Sequence, residues 1–114
     1  MIVEKVLVES VQLTNAAVVY YTTSIKVLTV IRRATVCNTT AGAVTVTIYI
    51  TLPGASPAAG NTVIYQQSIP AGKTVDLYQL VNHVLTTAGT SIQALASANT
   101  SLTFRVSGYE RPVI

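Results

Sequence analysis

Reactive side chains are scarce in this sequence, which holds one histidine, one cysteine, four acids and no tryptophan among its 114 residues. Metal centres draw on clustered His, Cys and carboxylate ligands, and these residues lie far apart in the chain. Cys37 stands alone, so neither an internal disulfide framework nor a cysteine-based metal site can form. It is expected as a small buried thiol. His83 lies beside Asn82 and Val84 and is expected as a surface or cap-packing residue; its functional alternative is a pH-sensitive contact at an interface. A nucleophile triad would need His83 as the base and Asp76 as the orienting acid, yet no Gly-x-Ser-x-Gly elbow accompanies them. Paired carboxylates would have to come from Glu4, Glu9, Asp76 and Glu110, and Glu4 and Glu9 read as solvating groups near the start of the chain. Pro70-Ala71-Gly72-Lys73-Thr74 shares only the Gly-Lys-Thr ending of a phosphate loop. Gln67 stands where that motif has its first glycine, and strand-like sequence follows. No catalytic, cofactor-binding or metal-ligating residue is nominated, no cofactor is expected, and neither is an enzyme.

Charge is equally thin. Asp, Glu, Lys and Arg make up 10% of the chain, against about 25% in a typical globular domain. Hydrophobic residues reach 50%, and the mean hydropathy is +0.53. Such a chain either enters a membrane or hides surface against neighbours. Its apolar residues are interrupted by Thr, Ser, Asn, Gln, Gly and Pro, so no run approaches the ~20 residues of a membrane helix. One chain is also too short for a membrane barrel of about eight ten-residue strands. Burial against partner subunits remains, and a homo-oligomer is expected. The net charge of +3 comes from Lys5, Lys26, Arg32, Arg33, Lys73, Arg105 and Arg111, scattered along the chain. Arg32 and Arg33 are adjacent and would point to opposite faces of a strand. A nucleic-acid partner is not expected from this distribution. Met1-Ile2-Val3-Glu4-Lys5 lacks a basic stretch before an apolar core, so no signal peptide is expected, and synthesis in a reducing cytoplasm is.

What is abundant is two-residue alternation of β-branched side chains, the mark of half-buried strands. In the strand Val44 to Thr51, Val44, Val46, Ile48 and Ile50 share one face, while Thr45, Thr47, Tyr49 and Thr51 share the other. Further strands are expected at Val6 to Leu13, Ala17 to Thr22, Ile25 to Val36, Val63 to Ser68, Thr74 to Tyr78, Ile92 to Ala96 and Leu102 to Ser107. In the last of these, Leu102, Phe104 and Val106 face the core. The turn cluster at 38–43 is expected to close one hairpin, and 97–101 a second. Pro53 and Pro57 bar the 53–60 loop from a sheet interior. Leu77, Leu80, Val81, Val84 and Leu85 have helical spacing, with Asp76 placed to cap it. At most one short helical turn is expected near 77–85. The whole, 1–114, reads as a single all-β domain, an antiparallel β-sandwich or jelly roll of about 7–8 strands.

Tyrosine suits a site apolar on one side and polar on the other, and the chain has six. Tyr49 on the threonine face and Tyr109 near the C-terminus are the tyrosines expected at a subunit interface. Arg111, Val113 and Ile114 join them, because a short apolar segment beyond Pro112 is suited to docking. Met1-Ile2-Val3 has the same character.

The order Val36-Cys37-Asn38-Thr39-Thr40, the strand Val44 to Ile50, Ile69-Pro70-Ala71-Gly72-Lys73-Thr74, Ala88-Gly89-Thr90-Ser91-Ile92 and Val106-Ser107-Gly108-Tyr109-Glu110 resembles small β-sandwich virion proteins of tailed bacteriophages. The resemblance covers about residues 10 to 110 and rests mainly on turn residues. It implies an auxiliary virion role, capsid decoration first and a neck, collar or tail component next. Its partners would be copies of itself and the major capsid or neck and tail proteins. It transfers no catalytic residue. The alternative is a receptor- or glycan-binding module of a phage fibre.

Overall fold

The computed structural model describes residues 2–113. The strand-forming stretches become nine strands among them: β1 (Val3–Gln12), β2 (Val18–Thr22), β3 (Val27–Asn38), β4 (Val44–Thr51), β5 (Thr62–Ile69), β6 (Thr74–Asp76), β7 (Val84–Leu85), β8 (Ser91–Ala96) and β9 (Leu102–Pro112). Two antiparallel sheets share them. One has the order β1-β9-β3-β6, with β7 also paired to β3; the other has the order β2-β8-β4-β5. Setting β7 aside, this is a jelly roll, in which the chain winds back and forth between two four-stranded layers. The core between the layers includes Leu13, Ile31, Val36, Val46, Ile48, Ile69, Leu77, Leu80, Leu85, Ile92, Leu102 and Phe104, all fully buried. The Tyr20 ring meets Phe104 edge-on, 6.3 Å between centroids.

Neither expected hairpin forms. β3 and β4 lie in different sheets, and so do β8 and β9. Alternation places Val44, Val46 and Ile48 on a core face, but it does not say from which layer. Each turn swings the chain out of its sheet and across the sandwich. Asn38 organises the first corner. Its side-chain amide donates to the Ile69 and Gly42 carbonyls at 2.9 and 2.8 Å, and its Oδ1 accepts from the Thr40 amide at 2.9 Å. The Asn38 amide donates to the Lys73 carbonyl at 2.9 Å. One buried side chain thus joins the end of β3, the following loop and the Pro70–Lys73 turn. In that turn the Lys73 amide donates to the Pro70 carbonyl at 3.2 Å, and Gly72 takes a φ of 69°, as position i+2 of a type II turn requires.

Other expectations shift locally. The helical spacing at 77–85 resolves into one 3-10 turn, Tyr78–Leu80, followed by β7. Leu77, Leu80 and Leu85 are buried, whereas Val81 and Val84 are exposed. Asp76 does not cap the turn; it lies in β6 and binds Arg33. Arg32 and Arg33 do not fall on opposite faces with one of them inward. A bulge between Ile31 and Arg33 makes Arg32 an extra residue against β9, and both side chains are exposed. Cys37 is half-buried rather than buried, because Val36 and Asn38 on either side take the inward positions.

Candidate functional site

The two sheets differ sharply in charge. All four acids, together with Lys5, Arg32, Arg33, Arg105 and Arg111, lie on strands of the five-stranded sheet, while Lys26 and Lys73 sit in turns. No strand of the four-stranded sheet carries a charged residue. On the charged sheet, the Arg105 Nη1 donates to Glu9 at 2.7 Å, Arg33 pairs with Asp76 at 3.1 Å, and Arg32 lies 3.9 Å from Glu4. Arg33, Thr35, Arg105 and Ser107 frame a hollow of about 240 Å³ there. These pairs are exposed, and each contributes about 1 kcal/mol or less. Their effect is to keep this face solvated.

The outer face of the four-stranded sheet is built from Thr, Gln, Ser, Tyr, Val and Leu95. Its centre is stitched together by side chains. The Thr51 and Ser91 hydroxyls are 2.6 Å apart, and the Gln93 Nε2 donates to Thr51 at 3.1 Å. At the β5 edge a bulge opposite Thr47 puts Gln66 at a φ of 48°, with its amide donating to the Thr47 hydroxyl at 3.1 Å. Bulges re-aim side chains, and Tyr65 next to this one is 72% exposed. Tyr49, Ala58, Ala59, Thr62, Val63 and Tyr65 line an open groove of about 480 Å³. The loop wall is held in shape, since the Asn61 side chain bonds Ala58 and Ser56 at 2.9 Å and the Thr62 hydroxyl donates to the Ala58 carbonyl at 2.8 Å.

The residues expected at an interface do not come together. Tyr49 lies in this groove. Tyr109 is on the other sheet, with the Arg32 guanidinium 5.9 Å from its ring centre. Arg111 lines a second shallow hollow with Val3, Lys26, Val27, Glu110 and Pro112, and the Val113 amide donates to the Lys26 carbonyl at 2.9 Å. Ile114 and Met1 lie outside the described residues. Tyr65, Val63 and Val19, which share the uncharged face with Tyr49, were not expected. The signal for them is linear: neither Ser10 to Ile25 nor Ala34 to Gly72 contains a charged residue.

Beneath the Arg111 hollow, Glu110 ties the two sheets. It accepts from Lys5 at 3.3 Å and from the Tyr21 hydroxyl, which also lies 2.7 Å from the Thr29 hydroxyl. Burial, and then the Glu110 carboxylate, push the Tyr21 hydroxyl up to about 12 from its ordinary 10.0. A folded-state pKa above the unfolded one favours folding below pH 10, and that support is lost as pH rises towards 12. Tyr21→Phe is therefore expected to lose about 1 kcal/mol at pH 8. Urea midpoints of wild type and variant should converge between pH 10 and 12.

Among the described residues, no group of three His, Cys, Asp or Glu side chains could hold a metal ion. No helix there is long and apolar enough to cross a membrane. The fold and its surface define a jelly-roll sandwich whose charged strand residues are confined to one layer. No protein-family model and no curated protein matches the chain. Solved structures do share the fold. One is a chain of the Bacillus endospore appendages, described as a novel family of disulfide-linked pili. It is 13% identical, with a TM-score of 0.59 over 99% of this chain and 89% of that one. Another is a chain of infectious bursal disease virus, Gx strain. It is 16% identical, with a TM-score of 0.50 over 96% of this chain. The likeness spans 31% of that viral chain. At these identities the likeness is one of fold.

Proposed function

We propose that this chain is a non-enzymatic structural protein of a bacteriophage virion, assembling with copies of itself and with other virion proteins. Capsid decoration is the first placement, and a neck or tail component the second. The observation that carries the reading is the four-stranded sheet without a charged residue. Interface cores are depleted in charge and enriched in tyrosine, and this face is both. The jelly-roll fold supports the reading, as do the neighbours in a pilus and in a virus. The mechanism is multivalent contact, in which many weak contacts act together on a symmetric particle.

Light scattering across a concentration series tests the assembly. The 12.0 kDa chain should shift to a multiple of its mass as concentration rises, and Tyr65→Glu should hold it near the monomer mass. Antibody labelling of purified particles tests the virion placement. Binding to a glycan array by wild type, lost in Tyr65→Ala, would favour the receptor-binding reading instead.

A further inference from the structure

Strand register sets a row of four side chains across the uncharged face. Val19 on β2 opposes Gln93 on β8, Gln93 opposes Tyr49 on β4, and Tyr49 opposes Thr62 on β5. Ile92 and Ala94 on either side of Gln93 belong to the core, so the row lies on the outer side of the sheet; Gln93 itself is buried among its neighbours there, and the two ends of the row are the open parts. At one end Val19 stands 49% exposed on the sheet edge. At the other, Tyr49 and Thr62 open into the groove with Val63 and Tyr65. A ridge on one edge and a groove on the opposite edge, level with each other, make the face self-complementary. A two-fold axis along the strands, over the gap between β8 and β4, lays β2 of one copy across β5 of the other.

We propose that two copies of this chain pack back to back through their four-stranded sheets, with Val19 of each copy seated in the Tyr49–Tyr65 groove of the other. This rests on the assembly reading above and names its contact. Charge selects the occupant. Covering this face with the five-stranded sheet of another copy would strip water from Arg33, Arg105 and their acidic partners, and buried ion pairs seldom recover that cost. A second uncharged face carries no such penalty. It also matches the way sheets stack, aligned and about 10 Å apart. The four strands have 5, 6, 8 and 8 residues; at about 3.3 Å per residue and about 4.8 Å between strands they cover about 430 Å² per copy. The total, about 860 Å², is that of a weak contact. Such a pair is weak alone and holds when many copies are gathered on one particle. The arrangement is isologous, so each Val19 meets the partner's groove and never the partner's Val19.

The test is a cross-link. Val19→Cys and Thr62→Cys are combined in a Cys37→Ser background and treated with a short bis-thiosulfonate linker at a concentration where light scattering detects association. Facing sheets hold the two Cα atoms about 10 Å apart with their side chains aimed at each other, too far for a direct disulfide but within reach of the linker. Within one chain β2 and β5 are separated by two strands, about 14 Å, with side chains parallel, which the linker does not span. A covalent dimer at least tenfold more abundant than in either single-cysteine variant is expected. In parallel, Val19→Lys should raise the dissociation constant at least tenfold, and Thr35→Lys on the charged sheet should leave it unchanged. Association without the cross-link, or broken by Thr35→Lys and not by Val19→Lys, overturns the back-to-back contact and leaves assembly standing. A strict monomer at every concentration overturns both.

Discussion

Replacing Gly108 by alanine should destabilise the fold by about 3 kcal/mol. Gly108 sits on β9, between β1 and β3, paired with Lys5 on one side and Ile31 on the other. A Cβ there would lie 2.1 Å from the Val30 carbonyl oxygen and 3.0 Å from the Leu7 Cδ1. The leucine end can turn aside, but the carbonyl belongs to the backbone of a central strand. It can move only if β3 parts from β9 beside the bulge. Overpacking usually costs about 1–3 kcal/mol, and a backbone obstacle places this case at the top of that range. Against a total stability of about 5–15 kcal/mol, the loss is a large share. Chemical denaturation checks it. An unchanged midpoint would mean that β3 and β9 do not approach this closely at Gly108.

The second large effect is at Asn38. Asn38→Ala removes the side chain that joins the β3 end, the 39–43 loop and the β5–β6 turn. The buried Ile69 carbonyl would lose the side-chain donor that reaches it across the sandwich, while the exposed Gly42 carbonyl would lose the amide but keep the Thr40 hydroxyl at 3.0 Å. Leaving a buried polar group unsatisfied costs about 1–3 kcal/mol, so the loss, carried by Ile69, should amount to about 2 kcal/mol. Asn38→Asp is a sharper variant. It keeps the acceptor for the Thr40 amide and loses both donors, so it should recover little of the stability. Amide exchange should quicken first at 38–43 and 70–73, the two segments this side chain holds together. Protection unaltered there would contradict the account.

The strands were legible in the sequence because β-branched alternation is a local property, and eight of the nine lie where that pattern predicts. Pairing was not legible. Val44, Val46 and Ile48 alternate identically whether their strand returns along its own sheet or crosses to the other. The crossing is decided by corner contacts such as Asn38 to Ile69, between residues far apart in the chain. The spacing of Leu77, Leu80 and Leu85 reflects three inward positions on an irregular connection, since a 3-10 turn and a two-residue strand can bury the same set. The exposure of both Arg32 and Arg33 follows from a one-residue bulge, which leaves no local mark. Of the uncharged face, Tyr49 was visible through its place among threonines. Val19 and Tyr65 lie in stretches without charge, but that they share a face with Tyr49 follows only when β2 and β5 become opposite edges of one sheet. Tyr109, Arg111 and Val113 proved to lie with the charged layer, where ion pairs keep the surface wet.

The most direct measurement of the central claim is the salt dependence of self-association, followed by sedimentation equilibrium from about 50 mM to 500 mM sodium chloride. Contacts between charged surfaces weaken as salt screens them, while burial of uncharged surface does not. If copies meet through the four-stranded sheet, association should hold or tighten across that range. Association that falls steeply with salt, or is absent throughout, would contradict it.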